Sequence, residues 1–130
     1  MDDSVKNTIQ KVIEETFEQN AQIVMISLSD ETGLPILTYS KDENGKISEV
    51  NDYGITNRYA ALAGASTTLG ERTLSTISQQ EKVRLIHVQG KDRDVAISVS
   101  PQLICLVVTY PSGSPNLIAE RLTSQLKSIL

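Results

Sequence analysis

Few residues in this chain have the type and spacing that chemistry needs. His87 is the single histidine. It could act as a base or a ligand, but no second His, Cys or carboxylate cluster accompanies it, so it reads as a sheet-face or interface residue. Cys105 lies in the apolar run Leu103-Ile104-Cys105-Leu106-Val107-Val108 with no basic neighbour to depress its pKa, and reads as core. Gly64 and Gly70 flank a Ser/Thr-rich run but lack the Gly-Lys-Ser/Thr ending of a phosphate loop, and their setting is helical. Asp42-Glu43-Asn44-Gly45 hints at a calcium loop, yet the glycine falls early and no Glu closes it, which leaves a turn. Ser124 and Lys127 match a Ser/Lys dyad spacing on an amphipathic helix without an oxyanion partner, and Asp30-Glu31 is a solvated turn. No catalytic constellation survives, so the expectation is a protein that is not an enzyme, with no cofactor and no metal.

What stands out instead is 59–69, Tyr-Ala-Ala-Leu-Ala-Gly-Ala-Ser-Thr-Thr-Leu, without a charge in the middle of a long helix. Tyr59, Leu62, Ser66, Leu69, Thr73 and Ile77 recur at steps of three and four and are expected to face the chain's own core. Ala61, Gly64, Ala65 and Thr68, ending at Arg72, form a second, small and uncharged stripe. Small side chains permit close helix–helix approach. An antiparallel pairing with the same helix of a second copy would be self-complementary under two-fold symmetry. The stripe is therefore read as an interface over a merely solvated face, all the more because a helix-interior glycine costs ~1 kcal/mol relative to Ala.

The composition bounds the rest. The 130 residues suit one domain, with 39% apolar and 22% charged side chains, no Trp and a single Phe, Phe17, so the core must be aliphatic. The net charge of −4 argues against nucleic acid as a partner. Residues 1–57 carry eleven acidic and four basic side chains; residues 58–130 carry five and eight. The single cysteine excludes an internal disulfide framework, no signal peptide is visible, and no apolar run approaches the ~18 residues of a membrane span. A cytoplasmic location is expected.

In chain order, Val5, Ile9, Val12, Ile13 and Phe17 give a helix over 3–19, capped by Asp3 or Ser4 and stopped at Asn20 as a left-handed residue. A two-sided apolar strand spans 22–29, a turn with Gly33 follows, and 34–40 is a strand that Pro35 makes an edge. The polar stretch 41–52 holds Asn44-Gly45 and, through Ile47 and Val50, a small extra ribbon. A long helix occupies 53–77, with Thr56 or Asn57 as its cap. Strands follow at 83–89, at 94–100 (Val95, Ile97 and Val99 inward; Asp94, Ala96 and Ser98 outward) and at 103–109, the last central beside the first strand. Ser114 and Pro115 open a closing amphipathic helix. The expected fold is α/β (α+β): a three-layer sandwich with a five-stranded antiparallel sheet and the long middle helix alone on one face.

This element order resembles the Roadblock/dynein light chain family of profilin-like domains. The matching residues are Val24-Met25-Ile26-Ser27-Leu28 leading into Asp30-Glu31-Thr32-Gly33-Leu34-Pro35-Ile36, then Ala60-Ala61-Leu62-Ala63 with Leu69-Gly70-Glu71 on the middle helix, and Val88 through Val95 followed by 103–109. The stretch 41–52 is longer than the family usually has. The resemblance covers roughly 5–130 and implies a homodimer, or a heterodimer with a paralogous Roadblock chain, built from the middle helices and the edge strand at 83–89. Arg84, Ile86 and Val88 lie on that strand, whose apolar surface would invite aggregation unless paired. The resemblance also implies a scaffold or regulator of Ras-like small GTPases, or a motor-complex light chain; taken with the uncharged face of the long helix, it puts Arg72 and the ends of the small stripe at the centre of the partner surface and Arg58 at its rim. A longin-type adaptor and a small-ligand sensor are the alternatives.

Overall fold

The computed structural model describes residues 2–79 and 81–130. Its elements run α1 (Asp3–Gln19), β1 (Ile23–Ser29), β2 (Pro35–Lys41), β3 (Ile47–Glu49), α2 (Tyr53–Ile77), β4 (Leu85–Gln89), β5 (Asp94–Val99), β6 (Ile104–Thr109) and α3 (Pro115–Leu126). All strand pairs are antiparallel, in the order β3-β2-β1-β6-β5-β4. The sheet therefore has six strands, not five. The extra one is the short ribbon within the polar stretch: Ile47 pairs with Lys41 and Glu49 with Tyr39. It is anchored from outside the sheet, where Glu49 meets Lys6 of α1 at 3.8 Å and accepts a hydrogen bond from Gln10. Consequently β2 is not an edge along its whole length. β3 reaches only its second half, and Pro35 sits at its first position, where a missing N–H costs no ladder bond.

β1 and β6 lie at the centre and are apolar on both faces because helices cover both. On one side α1 and α3 close over Ile9, Ile13, Phe17, Ile26, Leu28, Cys105, Val107, Leu122 and Leu126. On the other side α2 covers Met25, Ile97, Ile104 and Leu106. β5 departs from the expected pattern. Asp94, Ala96 and Ser98 are buried, since α3 packs over that face; Thr123 Oγ1 donates to Ser98 Oγ at 2.9 Å. The inward/outward alternation in the sequence thus separates two covered faces rather than core from solvent.

Turn chemistry follows from single residues. Gly33 and Gly45 adopt φ of +88° and +82°, a conformation L side chains rarely adopt. Asp30 Oδ1 accepts from Thr32 N, Thr32 Oγ1 and Leu34 N, and Asp42 Oδ1 does the same for Asn44 N and Lys46 N. Four expected helix ends shift. Asp2 caps α1 by accepting from Ser4 N, and Asp52 caps α2 by accepting from Gly54 N and Ile55 N, because in each case the carboxylate one position before the first helical residue reaches the free amides. Asn20 is not left-handed (φ −137°), its side chain donating back to Thr16 O. Ser114 itself takes the left-handed conformation (φ 54°) and makes no side-chain cap, leaving Pro115 to start α3.

Candidate functional site

α2 does not bury its bulky stripe. Its buried residues are Thr56, Ala60, Ala63 and Thr67, small side chains at steps of four, three and four. They let the helix axis lie low over the sheet, where Ser27 Oγ and Thr38 Oγ1 are buried against one another at 3.0 Å. Gly70 continues this line: a Cβ there would stand 2.8 Å from Val83 Cγ2. Leu62, Leu69 and Ile77 are left 52%, 66% and 80% exposed, and of the expected core stripe only Tyr59 packs onto the sheet. The correction has a simple reason. A long helix set close on a sheet needs small residues beneath it, and large ones can fit only on its flanks.

The exposed surface of α2 has two parts. The small stripe is where it was expected. Ala61, Ala65, Thr68 and Arg72 are exposed and point away from the sheet, and Gly64 is half-buried, a Cβ there lying 3.9 Å from Gly33 Cα. Beside it runs the flank carrying Leu62 and Leu69, which leans toward β4. There Ser66, Leu69, Thr73 and Leu74 of α2 and Val83, Ile86 and Val88 line a shallow apolar groove. The hydroxyls of Thr68, Thr73 and Thr76 donate to Gly64 O, Leu69 O and Arg72 O within the helix. Their polar demand is met internally, so the surface they offer is largely methyl.

The small stripe and the large flank share one seam. Ile55, Arg58, Leu62, Ala65, Leu69, Arg72 and Thr76 recur at alternating steps of three and four, and all seven are exposed. That spacing keeps one line of side chains facing a neighbouring helix. About Ala65 the seam reads nearly the same in both directions: Leu62 and Leu69 flank it, then Arg58 and Arg72. The signal was legible as a repeat, but the sequence reading divided its members between a supposed core stripe and the small stripe.

β4 forms the sheet edge next to this flank. It starts at Leu85, two residues later than expected, because Val83 turns inward beneath Gly70. Val99 N donates to Arg84 O and Gly90 N to Arg93 O, so the backbone of Arg84, Ile86 and Val88 faces β5. By strand alternation the N–H and C=O groups of Leu85, His87 and Gln89 face outward with no strand beside them. Ile86 lies on the α2 side and is half-buried, Val88 is 57% exposed, and Arg84 and His87 are exposed.

The residues weighed for chemistry remain scattered. Cys105 is fully buried in the core, and burial pushes its thiol up to about 12. Asp30 lies below the usual carboxylate range because Thr32 and the Leu34 amide donate to it. Among the described residues no group of three His, Cys, Asp or Glu could hold a metal ion, and no helix is long and apolar enough to cross a membrane.

No protein-family model matches the sequence, and a comparison with curated proteins finds no match. Solved structures do match. A Roadblock/LC7 domain from Streptomyces avermitilis superposes with a TM-score of 0.66 at 15% identity, over 89% of each chain. The gliding protein MglB from Thermus thermophilus gives 0.73 at 15% identity, over 99% of this chain and 93% of that one. An MglB with a tetrameric arrangement gives 0.75 at 14% identity, over 99% and 92%. The chain has the Roadblock/LC7 fold. At these identities the likeness is one of fold, and the site must be argued from this chain's own residues.

Proposed function

We propose that this chain is a non-enzymatic scaffold that pairs with a second copy, or a paralogous Roadblock chain, through α2 and β4 and presents the paired helices to a Ras-like small GTPase. The observation that carries the reading is the exposed seam from Ile55 to Thr76, nearly symmetric about Ala65 and continuous with an uncovered strand edge. Solvent-exposed Leu62, Leu69, Ile77 and Val88 on one side of a small protein favour a partner. In this arrangement β4 pairs with its own copy and joins two sheets, while Leu69 and Ile86 fill the space between the helices and the strands. The tetrameric arrangement of an MglB of the same fold supports self-association.

Ala61, Gly64, Ala65 and Thr68 form the close-contact part of the seam, Arg84, Ile86 and Val88 the strand part, and Arg72 and Arg58 the charged surface left for the partner. Small GTPases loaded in turn with GDP and with a non-hydrolysable GTP analogue are the test, passed over immobilised wild-type chain and a Thr68→Arg variant. Binding of at least one GTPase in one nucleotide state, lost in Thr68→Arg, is expected. Equal retention of every GTPase by both chains, or by neither, contradicts the GTPase assignment.

A further inference from the structure

On the flank of α2 opposite Leu69, the helix, the β1–β2 turn, the segment entering β4 and the β5–β6 turn enclose a cleft of about 580 Å³, a volume in the range of small-molecule sites. Its floor is apolar. Val83 and Ile104 are buried there, Val99 is half-buried, and Thr67 presents its methyl because its hydroxyl donates to Ala63 O at 2.8 Å. Its mouth is charged. Glu31 stands on the turn that Asp30 fixes, Glu71 is the single acid of α2, and Lys82 and Arg84 flank Val83. None of these four is in an ion pair; among the described residues Lys6 and Glu49 form the one such contact. Two carboxylates and two cations thus ring one apolar hollow without neutralising one another.

We infer that this cleft binds a free α-amino acid with an aliphatic side chain, its ammonium set against Glu31 and Glu71 and its carboxylate against Lys82 and Arg84. The charges of the mouth sum to zero, so a ligand of one sign meets repulsion from two groups as it gains attraction from the other two. A phosphate or nucleotide brings several negative charges to a site holding two carboxylates, and a fatty acid has nothing to offer those carboxylates. A peptide carries one of the two charges at each end, whereas all four charged residues ring a single mouth. Charge-assisted hydrogen bonds are the strong polar contacts, and the Arg84 guanidinium can hold a carboxylate through two parallel N–H donors. The floor has branched aliphatic side chains and no aromatic ring, which suits a side chain of the size of leucine. One copy builds the whole cleft, so binding does not depend on the pairing proposed above.

Titration of the full chain, labelled at its Ile, Leu and Val methyls, with L-leucine, L-isoleucine and L-valine tests this by NMR. Saturable shifts are expected at Val83, Val99 and Ile104, with Leu117 on α3 unmoved. N-acetyl-L-leucine, which lacks the ammonium, and L-leucinamide, which lacks the carboxylate, bind wild type about tenfold more weakly than L-leucine. Glu71→Gln and Lys82→Met each weaken L-leucine by a similar factor. Each is silent toward the analogue that lacks the group it serves: Glu71→Gln toward N-acetyl-L-leucine, Lys82→Met toward L-leucinamide. No shift with any of the three amino acids at about 10 mM, or analogues that bind as well as L-leucine, overturns the site. L-leucyl-L-leucine binding more tightly than L-leucine overturns the free amino acid in favour of a peptide. Wild-type affinity for L-leucine in both variants overturns the role given to the charged mouth.

Discussion

At Gly70 the helix and the segment leading into β4 compete for the same space. A methyl there meets Val83 Cγ2 at 2.8 Å, and the stiff, buried Val83 has little room to yield. Overpacking of this kind costs about 1–3 kcal/mol against the ~1 kcal/mol that alanine gains in a helix interior. Gly70→Ala is expected to lower the unfolding free energy by about 1 kcal/mol in urea, whereas Gly64→Ala, with its nearest neighbour at 3.9 Å, raises it. Cys105 makes a second residue-scale prediction. Its buried thiol, raised to about 12, should leave the native chain unlabelled by thiol reagents at about pH 8, with one equivalent taken up on unfolding. Asp30 makes a third. Its carboxyl is held below the model-compound value of 3.8 in the folded chain, so its stabilisation is full above that value and is lost as pH falls through the folded one. Asp30→Ala should flatten the acid limb of the stability–pH curve while lowering stability at neutral pH.

At the scale of elements, the chain's two-sided strands, its turns at Gly33 and Gly45 and the extent of α2 were all legible, because each rests on local pattern or backbone chemistry. The direction in which α2 faces was not. Its large residues look like the buried stripe to any count of hydrophobicity, but the depth of the sheet beneath it selects Thr56, Ala60, Ala63 and Thr67. Gly70 was visible; that it mattered through Val83, thirteen residues on, was a tertiary fact. The strand edge gives a test confined to β4. If that edge pairs with another copy, the His87 amide, which points away from β5, exchanges slowly in wild type and becomes fast in Leu69→Glu. The Ile86 amide, directed at β5, stays protected in both. Rapid exchange of His87 in wild type would place β4 outside the interface.

For the molecule as a whole, the three layers followed from counting which strands are apolar on both faces, and the sixth strand was read only as a small ribbon outside the five-strand count because three residues in a polar stretch carry little pattern. The candidate site was half legible. The small stripe and β4 were identified, but the residues that supply most apolar area, Leu62 and Leu69, were assigned to the core. Their exposure makes the central claim easy to test cleanly, since Leu69→Glu removes little buried surface and should change folding stability by less than about 0.5 kcal/mol. The most direct measurement is the solution mass of wild type and Leu69→Glu by multi-angle light scattering at micromolar concentration. A mass twice the 14.2 kDa of the chain for wild type, and a folded variant at 14.2 kDa, is the result expected. A monomeric wild type, or a variant that keeps the doubled mass, would contradict the account.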